Sequence, residues 1–529
     1  MNNQRKNAFT VFMMIAATLL AKLLGMFRGV FLAASYGTDI QAEAFAAASK
    51  IPLTFFDLLL GAAILGCFIP AYNSFNQSRT KQANRFACTF LNIVILLTGI
   101  MSLLGMLFSD SLLAVLSPKL NPQSAALASK LLKIMFPMIT FTGAAYVLVG
   151  VLQSKGSFIV PSLISAVSNG AIIVYFLFFD QKFGIEGLAV AYIIAWFLQL
   201  AVLVYPLCKT DFRYRLCIDL KMPETKKALK TVFPIMAGSW LSPATVLIGT
   251  YFSPFTKEAA PLAAFDYANN LFIIIAGIIT YGLCNFIFPS LSRLSSQGSA
   301  KEYAKAVKDG LSAMLLIIVP VCAGVIALNK QLVCLVYMRG NFSAQSAVST
   351  SNAFLGFSIG IVGYSLIEIL NRVFYSKGKT SAPVVAAVIG IAVNIISCIT
   401  LSLIFPHSTI PSLVYISGAA SLGLCAASAY LLFKCKKEID GVVDRAFLIN
   451  CLKILTSGLL SFGIMYGLAC LTDTHFSLQS FVSNFLTCAV VFVCGTAVFL
   501  AFCFVFKVSQ CKDILKILNI SSKKKKEGD

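Results

Sequence analysis

The sequence predicts an all-α polytopic membrane protein, and three observations carry that prediction: composition, the length of the apolar stretches and the placement of basic residues. Hydrophobic residues fill 58% of the 529 positions and charged ones only 12%, with a mean hydropathy of +0.86. Soluble domains carry about twice that share of charge. Fourteen segments reach the roughly 20 residues a helix needs to cross a bilayer. They are 8 to 36, 41 to 75, 86 to 109, 130 to 153, 158 to 179, 185 to 207, 231 to 252, 262 to 292, 309 to 328, 344 to 374, 382 to 405, 410 to 433, 446 to 471 and 480 to 506. Most of the 42 Lys and Arg residues lie in the N-terminal tail, every second loop and the C-terminal tail, whereas the alternate loops hold Lys119, Lys130, Lys182, Lys257, Lys330 and Arg339. Basic residues stay on the cytoplasmic side of short loops, so both termini are expected in the cytoplasm.

The same bias explains the net charge of +21. On a soluble chain it would point to nucleic acid; here the basic loops face an anionic inner leaflet. Membrane lipids, and no nucleic acid, are the expected partners. The terminal S-S-K-K-K-K-E-G-D reads as a lipid-surface anchor. Arg5 and Lys6 precede the first apolar run as they would in a secretory signal, but the run is too long and lacks a small-residue cleavage site, so it is expected to persist as a helix. The 16 cysteines lie mostly within helices, form no C-x-x-C pair and meet only His407 and His475. Neither a disulfide framework nor a metal site is expected.

Segment one carries Lys22 and Arg28 deep within apolar sequence. A central cation costs roughly 2.5 to 3.5 kcal/mol on insertion scales and normally faces a bundle interior or a wet cavity. The two are six residues apart, about 120° out of phase, so they share a cavity only if it is wide or the helix bends near Gly25 and Gly29. Their chemistry suits phosphate or carboxylate; the competing expectation is an internal ion pair with Asp57 or an outer acid. Segment two places Lys50 and Asp57 on one helical face, with Thr54 between and Gly61 beyond. Each is also placed to pair with neighbours instead.

An internal repeat organises the remainder. Ser154, Lys155, Gly156 and Pro161 are matched in order and spacing by Ser376, Lys377, Gly378 and Pro383, and C-F-I-P ending at Pro70 is echoed by F-I-F-P ending at Pro289. The nearly common separation implies a duplicated six-helix unit, its copies parallel and related by a pseudo-two-fold axis along the membrane normal, with a cleft between them. The expected divisions are an N-lobe over 1–207, a charged cytoplasmic linker over 208–230, a C-lobe over 231–434, two accessory helices within 435–508 and a basic tail over 509–529. Segment seven replaces segment one without a charge, and segment eight aligns Asn269 or Asn270 with Lys50, exchanging a cation for amides that still hydrogen-bond a ligand. Glu368 and Arg372 in segment ten form an i,i+4 pair. Pro52, Pro234 and Pro243 are expected to bend their helices. G-K-T at 378 to 380 lacks the upstream glycine of a phosphate loop, and G-F-S-I-G at 356 to 360 lies in an apolar helix and not at a strand-to-helix turn, so no catalytic site is expected.

K-L-L-G-M-F-R-G-V-F-L-A-A-S-Y-G, then A-E-A-F-A-A-A-S-K-I-P and F-I-P-A-Y, resemble the opening of the MurJ (MviN) lipid II flippase family of the MOP exporter superfamily. Y-A-N-N-L, F-P-S-L-S-R and R-V-F-Y-S-K-G-K-T-S-A-P resemble its later motifs. The resemblance implies translocation of an undecaprenyl-pyrophosphate-linked peptidoglycan precursor from inner to outer leaflet by alternating access, with cell-wall synthesis machinery as a partner. It maps family arginines of the first helix onto Lys22 and Arg28 and a loop acid onto Glu43. Where the family often has arginine in its second and eighth helices, this chain has Phe56 and Asn270, and Gly61-Ala62 stands for a Glu-Gly pair. The expected cavity residues are therefore Lys22, Arg28, Lys50, Asp57, Asn269 and Asn270, with Glu43, Glu368 and Arg372 as gating or ion-pair residues. No cofactor is expected; membrane potential, an ion gradient or product consumption are equally compatible drives. The rival readings are a flippase for another polyprenyl-linked glycan, a cation-coupled multidrug exporter using Asp57, Asp266 or Glu368, and a membrane glycosyltransferase, for which the longer outer loops offer Asp110 alone.

Overall fold

A computed structural model describes residues 2–61, 67–75, 80–258, 260–404, 412–475 and 480–511. Backbone polar groups in hydrocarbon must find partners within their own segment, and helices achieve this. The first part of the chain forms α1 (Asn2–Tyr36), α2 (Ile40–Phe56), a π-helical turn (Asp57–Gly61), α3 (Ile69–Asn73), α4 (Thr80–Leu107) and α5 (Ser109–Leu116). It continues through α6 (Pro122–Met135), α7 (Met138–Ser154), α8 (Ile159–Phe178), α9 (Asp180–Cys208), α10 (Pro223–Ser239), α11 (Leu241–Phe252) and α12 (Pro261–Ser296). Then follow α13 (Ala300–Ala327), α14 (Asn329–Tyr337), α15 (Ala344–Ser358), α16 (Ile361–Ser376), α17 (Ser381–Ile404), α18 (Ser412–Glu438), α19 (Arg445–His475) and α20 (Phe481–Val505).

Among the described residues eleven helices are long and apolar enough to cross a membrane, and three bent pairs, each counted as one span, bring the candidates to 14. The bends have local causes. Pro137, which has no backbone donor, separates α6 from α7 at 40°, and Gly360 separates α15 from α16 at 46°. The bend of 55° between α10 and α11 falls between Pro234 and Pro243. Within segment two the regular helix stops at Phe56 and passes into the π turn; residues 62–66 lie outside the described residues, and α3 follows. His407 and tail residues 512–529 lie outside the described residues.

Packing divides the chain into two compact units, one of Met1–Asn270 with Arg339–Ser349 and one of Leu271–Met338 with Thr350–Asp529. In the first, α1 lies on α8, α8 on α9 and α2 on α6; in the second, α17 packs on α18, α13 on α19 and α19 on α20. Small residues bring helices close in the second unit, where Gly356 and Gly360 sit against Ser417 and Ser421, and Ser421 Oγ donates to the Gly356 carbonyl at 2.6 Å. Large apolar side chains such as Leu107, Phe178, Leu403 and Val505 are exposed and face hydrocarbon. The charged connector leaves α9 without helical structure and runs along α4, where Asn84 Nδ2 donates to the Asp211 carbonyl at 2.8 Å and Asn92 Nδ2 to the Cys217 carbonyl at 2.9 Å. Pro223, at the first turn of α10, starts the next helix.

Candidate functional site

The first unit seats Arg28 against an aromatic wall. Its guanidinium carbon lies 5.6 Å from the centroid of Tyr192 on α9. Tyr192 stacks on Trp196, one turn later, at 5.3 Å and 14°, and Phe45 of α2 meets it edge-on at 5.1 Å and 76°. A cation over a ring gains about 0.5–2 kcal/mol. The planar guanidinium keeps its edge donors for bidentate contact with an oxyanion. Lys22 is half-buried on the same helix. Asn169 Nδ2 of α8 donates to the Ala21 carbonyl at 3.1 Å and reaches the close approach at Gly25, which locks α1 onto α8.

A second cation stands nearby on α2. Lys50 Nζ is 2.7 Å from Asp266 Oδ1 and donates to Asn270 Oδ1 at 3.3 Å, while Asn270 Nδ2 donates to Asp266 Oδ2 at 3.2 Å. Asp266 and Asn270 are one turn apart on α12 and so present both acceptors to one point. Phe45 of α2, the helix that carries Lys50, packs on the same Tyr192 ring that Arg28 faces. The fold brings Lys50, Asp266 and Asn270 together and sets Tyr192 and Trp196 beside Arg28. Asp266 entered the sequence reading only as an exporter's acid; Tyr192 and Trp196 were signalled only by their i,i+4 spacing in segment six. Asn269 is buried one position before Asn270.

Three residues singled out in the sequence have local partners. Lys50 pairs with Asp266 of α12, whereas Asp57, at the start of the π turn, lies over Gly61. Trp240 Nε1 donates to the Leu58 carbonyl at 2.7 Å and so satisfies a carbonyl in that irregular turn. Glu43 is buried and accepts from Ser124 Oγ at 3.0 Å and from the Leu262 amide, so among the described residues it joins α2, α6 and α12 without a cationic partner. Phe56 is a core residue, 1% exposed and edge-on to Tyr146 at 5.6 Å.

The far end of α1 is clasped by the loop after α14. Asn341 N–H donates to the Ala34 carbonyl at 2.8 Å, its Nδ2 donates to the Ser35 carbonyl at 2.6 Å, and Tyr267 OH donates to the Gly37 carbonyl at 2.9 Å. Gly37 and Gly340 have φ of 54° and 56°, and a Cβ on either would sit under 2.5 Å from a carbonyl oxygen of the opposing strand of chain. Only glycine permits both the backbone conformation and the approach. Glu368 and Arg372 belong to the second unit. Arg372 Nη1 lies 2.8 Å from Glu368 Oε2 and also donates to the Glu368 carbonyl, its guanidinium carbon is 5.7 Å from the Tyr281 centroid, and Tyr364 OH donates to Tyr281 OH at 3.1 Å.

Known proteins share this sequence pattern and fold. The family model described as lipid II flippase MurJ matches residues 32–487. A probable lipid II flippase MurJ of Buchnera aphidicola subsp. Schizaphis graminum is 29% identical over 371 residues, covering 69% of this chain and 72% of that protein. Another from Bdellovibrio bacteriovorus is 24% identical over 401 residues, covering 74% and 76%. A solved structure of lipid II flippase MurJ in an inward closed conformation aligns with a TM-score of 0.77 at 20% identity, covering 93% of this chain and 99% of that one. An inward-facing multidrug resistance MATE family transporter of the MOP superfamily aligns at 0.67 and 15% identity, covering 82% and 98%. At these identities the structural likeness establishes the fold.

Proposed function

The chain belongs to the MurJ family of lipid II flippases, and from that membership we propose that it moves lipid II from the inner to the outer leaflet by alternating access. It is a transporter and not an enzyme. The structural observation that supports this reading most directly is the constellation of Arg28, Lys50, Asp266 and Asn270 within membrane-crossing helices. A diphosphate cannot enter hydrocarbon without compensating charge, and paired cations supply charge-assisted hydrogen bonds at low dielectric.

The roles divide by geometry. Arg28, braced by Tyr192, offers its fork to the diphosphate. Lys50 is held by Asp266 and Asn270, so an incoming diphosphate competes with Asp266 for the ammonium, and departure of the substrate restores the pair. Lys50 thereby supplies from α2 the charge that Asn270 does not supply from α12. The cation-coupled exporter reading fares worse, because Asp266 is 8% exposed and already neutralised by Lys50. We further propose cytoplasmic termini, lobes that follow the sequence repeat, contact with the cell-wall synthesis machinery, and a drive from the membrane potential or an ion gradient.

The test is depletion of the protein in its host, with the leaflet distribution of lipid II measured and wild-type or Arg28→Ala protein resupplied. Inner-leaflet accumulation, reversed by wild type and not by the variant, is expected. Normal export in depleted cells that carry no second flippase overturns the assignment.

A further inference from the structure

Away from the transport constellation, the second unit contains a basic cavity of about 430 Å³ where α13, α19 and the residues after α20 converge. Its size is within the range of about 300–1,000 Å³ typical of ligand pockets. Lys308, Lys453 and Lys507 line it, with Asp309, Asn450 and Gln510 among the remaining polar groups. Asp444 answers Lys308 at 2.7 Å. Among the described residues neither Lys453 nor Lys507 has an ion-pair partner.

The chain goes to some length to hold this arrangement. Lys507 has φ of 54°, a left-handed conformation that normally selects glycine at a helix end. The Lys507 N–H donates to the Phe504 carbonyl and the Val508 N–H to the Cys503 carbonyl, which turns the chain after α20. Asn450 then takes the Ser509 amide at 3.0 Å and donates to Gln510 Oε1 at 2.8 Å, tying that turn to α19. A lysine kept where glycine would relieve strain marks a side chain with a use of its own. Ile449 also lines the cavity and is exposed, as are Leu448 and Leu452 beside it, so the basic pocket opens directly onto lipid-facing apolar surface. The same end of the unit carries Lys301, Lys305, Lys434, Lys436, Lys437 and Arg445, the charge bias of a cytoplasmic face.

We propose that this cavity is a head-group site for an anionic phospholipid, its phosphate held by Lys453 and Lys507 and its acyl chains lying along the Ile449 side of α19. Basic pockets between membrane helices at the cytoplasmic level suit such head groups. The site is independent of the transported substrate.

The experiment is native mass spectrometry of the purified full-length protein with equal amounts of phosphatidylglycerol and phosphatidylethanolamine, alongside melting temperatures with each lipid. Wild type is expected to retain phosphatidylglycerol preferentially. Lys453→Gln and Lys507→Gly should each lower that retention roughly fivefold, as loss of one lysine near a lipid surface predicts. Lys507→Gly suits its backbone conformation, so its lipid-free melting temperature should hold or rise while the lipid-dependent increase is lost. Equal retention of both lipids, undiminished phosphatidylglycerol adducts in the double variant, or displacement by inorganic phosphate or a polyprenyl diphosphate in preference to phospholipid would each overturn the proposal.

Discussion

The two units each hold a basic side chain against an acid within membrane-crossing helices, and they build the pair in opposite ways. In the second unit Arg372 meets Glu368 one turn away on the same helix and also bonds that residue's own carbonyl. This pair is complete wherever α16 goes. In the first unit Lys50 meets Asn270, 220 residues later, and Asp266 on the same distant helix. That pair exists only while α2 and α12 stay adjacent. A local ion pair stiffens a helix, whereas one assembled from separate helices is sensitive to helix movement and to any anion that competes for the cation. The transport role proposed above accordingly rests on the second kind.

The largest effect expected from breaking this contrast is on stability. Lys50→Ala strands a buried carboxylate, and removal of one member of such a pair costs about 3–5 kcal/mol. Thermal melting of the purified protein should show that loss, and adding Asp266→Asn should recover most of it without restoring transport. A double variant that transports normally would remove Lys50 from the site. Next comes Arg28→Ala, which forfeits charge-assisted bonds of about 1.5–3 kcal/mol and should lower lipid II export between roughly tenfold and a hundredfold. Arg28→Lys should fall between the two, since it keeps the charge and loses both the fork and the stacking on Tyr192.

Glu368→Gln should do much less, because the amide still accepts from Arg372. Export within about twofold of wild type and a stability loss below about 1 kcal/mol are expected. A defect as deep as that of Arg28→Ala would show that the local pair is also part of the transport machinery. Asp211→Asn lies outside both clusters and sets the baseline. Lys155, hydrogen-bonded to the Asp211 carboxyl, holds it below its ordinary value of 3.8. A depressed carboxyl adds stability that is present above its ordinary value and is lost as the pH falls through the lower, folded one. Melting temperatures of the variant should therefore fall slightly below wild type at neutral pH and converge with it below pH 3.8, which flattens the acid decline.

Much of this was legible before any coordinates. The apolar segments foretold the crossings, including those that fold as bent pairs, because length and composition remain visible when Pro137 or Gly360 breaks the winding. Arg28 and Lys50 stood out because charge in apolar sequence is rare. The alignment of the repeat made Asn269 or Asn270 the counterpart of Lys50; that Asn270 also accepts from Lys50 is a contact the alignment did not foretell. The contact of Asp57 over Gly61 was not legible, because it lies within a π turn that nothing in D-L-L-L-G announces. Glu43, expected as a gating or ion-pair residue, accepts from Ser124 and a backbone amide, partners whose sequence separation carries no signal.

The sequence by itself determined the class of protein, the number of crossings and which basic residues had to be kept from lipid, since each follows from the chemistry of a residue and its immediate neighbours in a solvent that tolerates neither charge nor open backbone. Only the tertiary structure decided which acid answers which base, that an aromatic wall from α9 seats Arg28, and that a strained lysine completes a basic pocket behind α20. Those choices depend on which helices lie side by side, and adjacency between residues hundreds of positions apart is set by the packing of the whole unit.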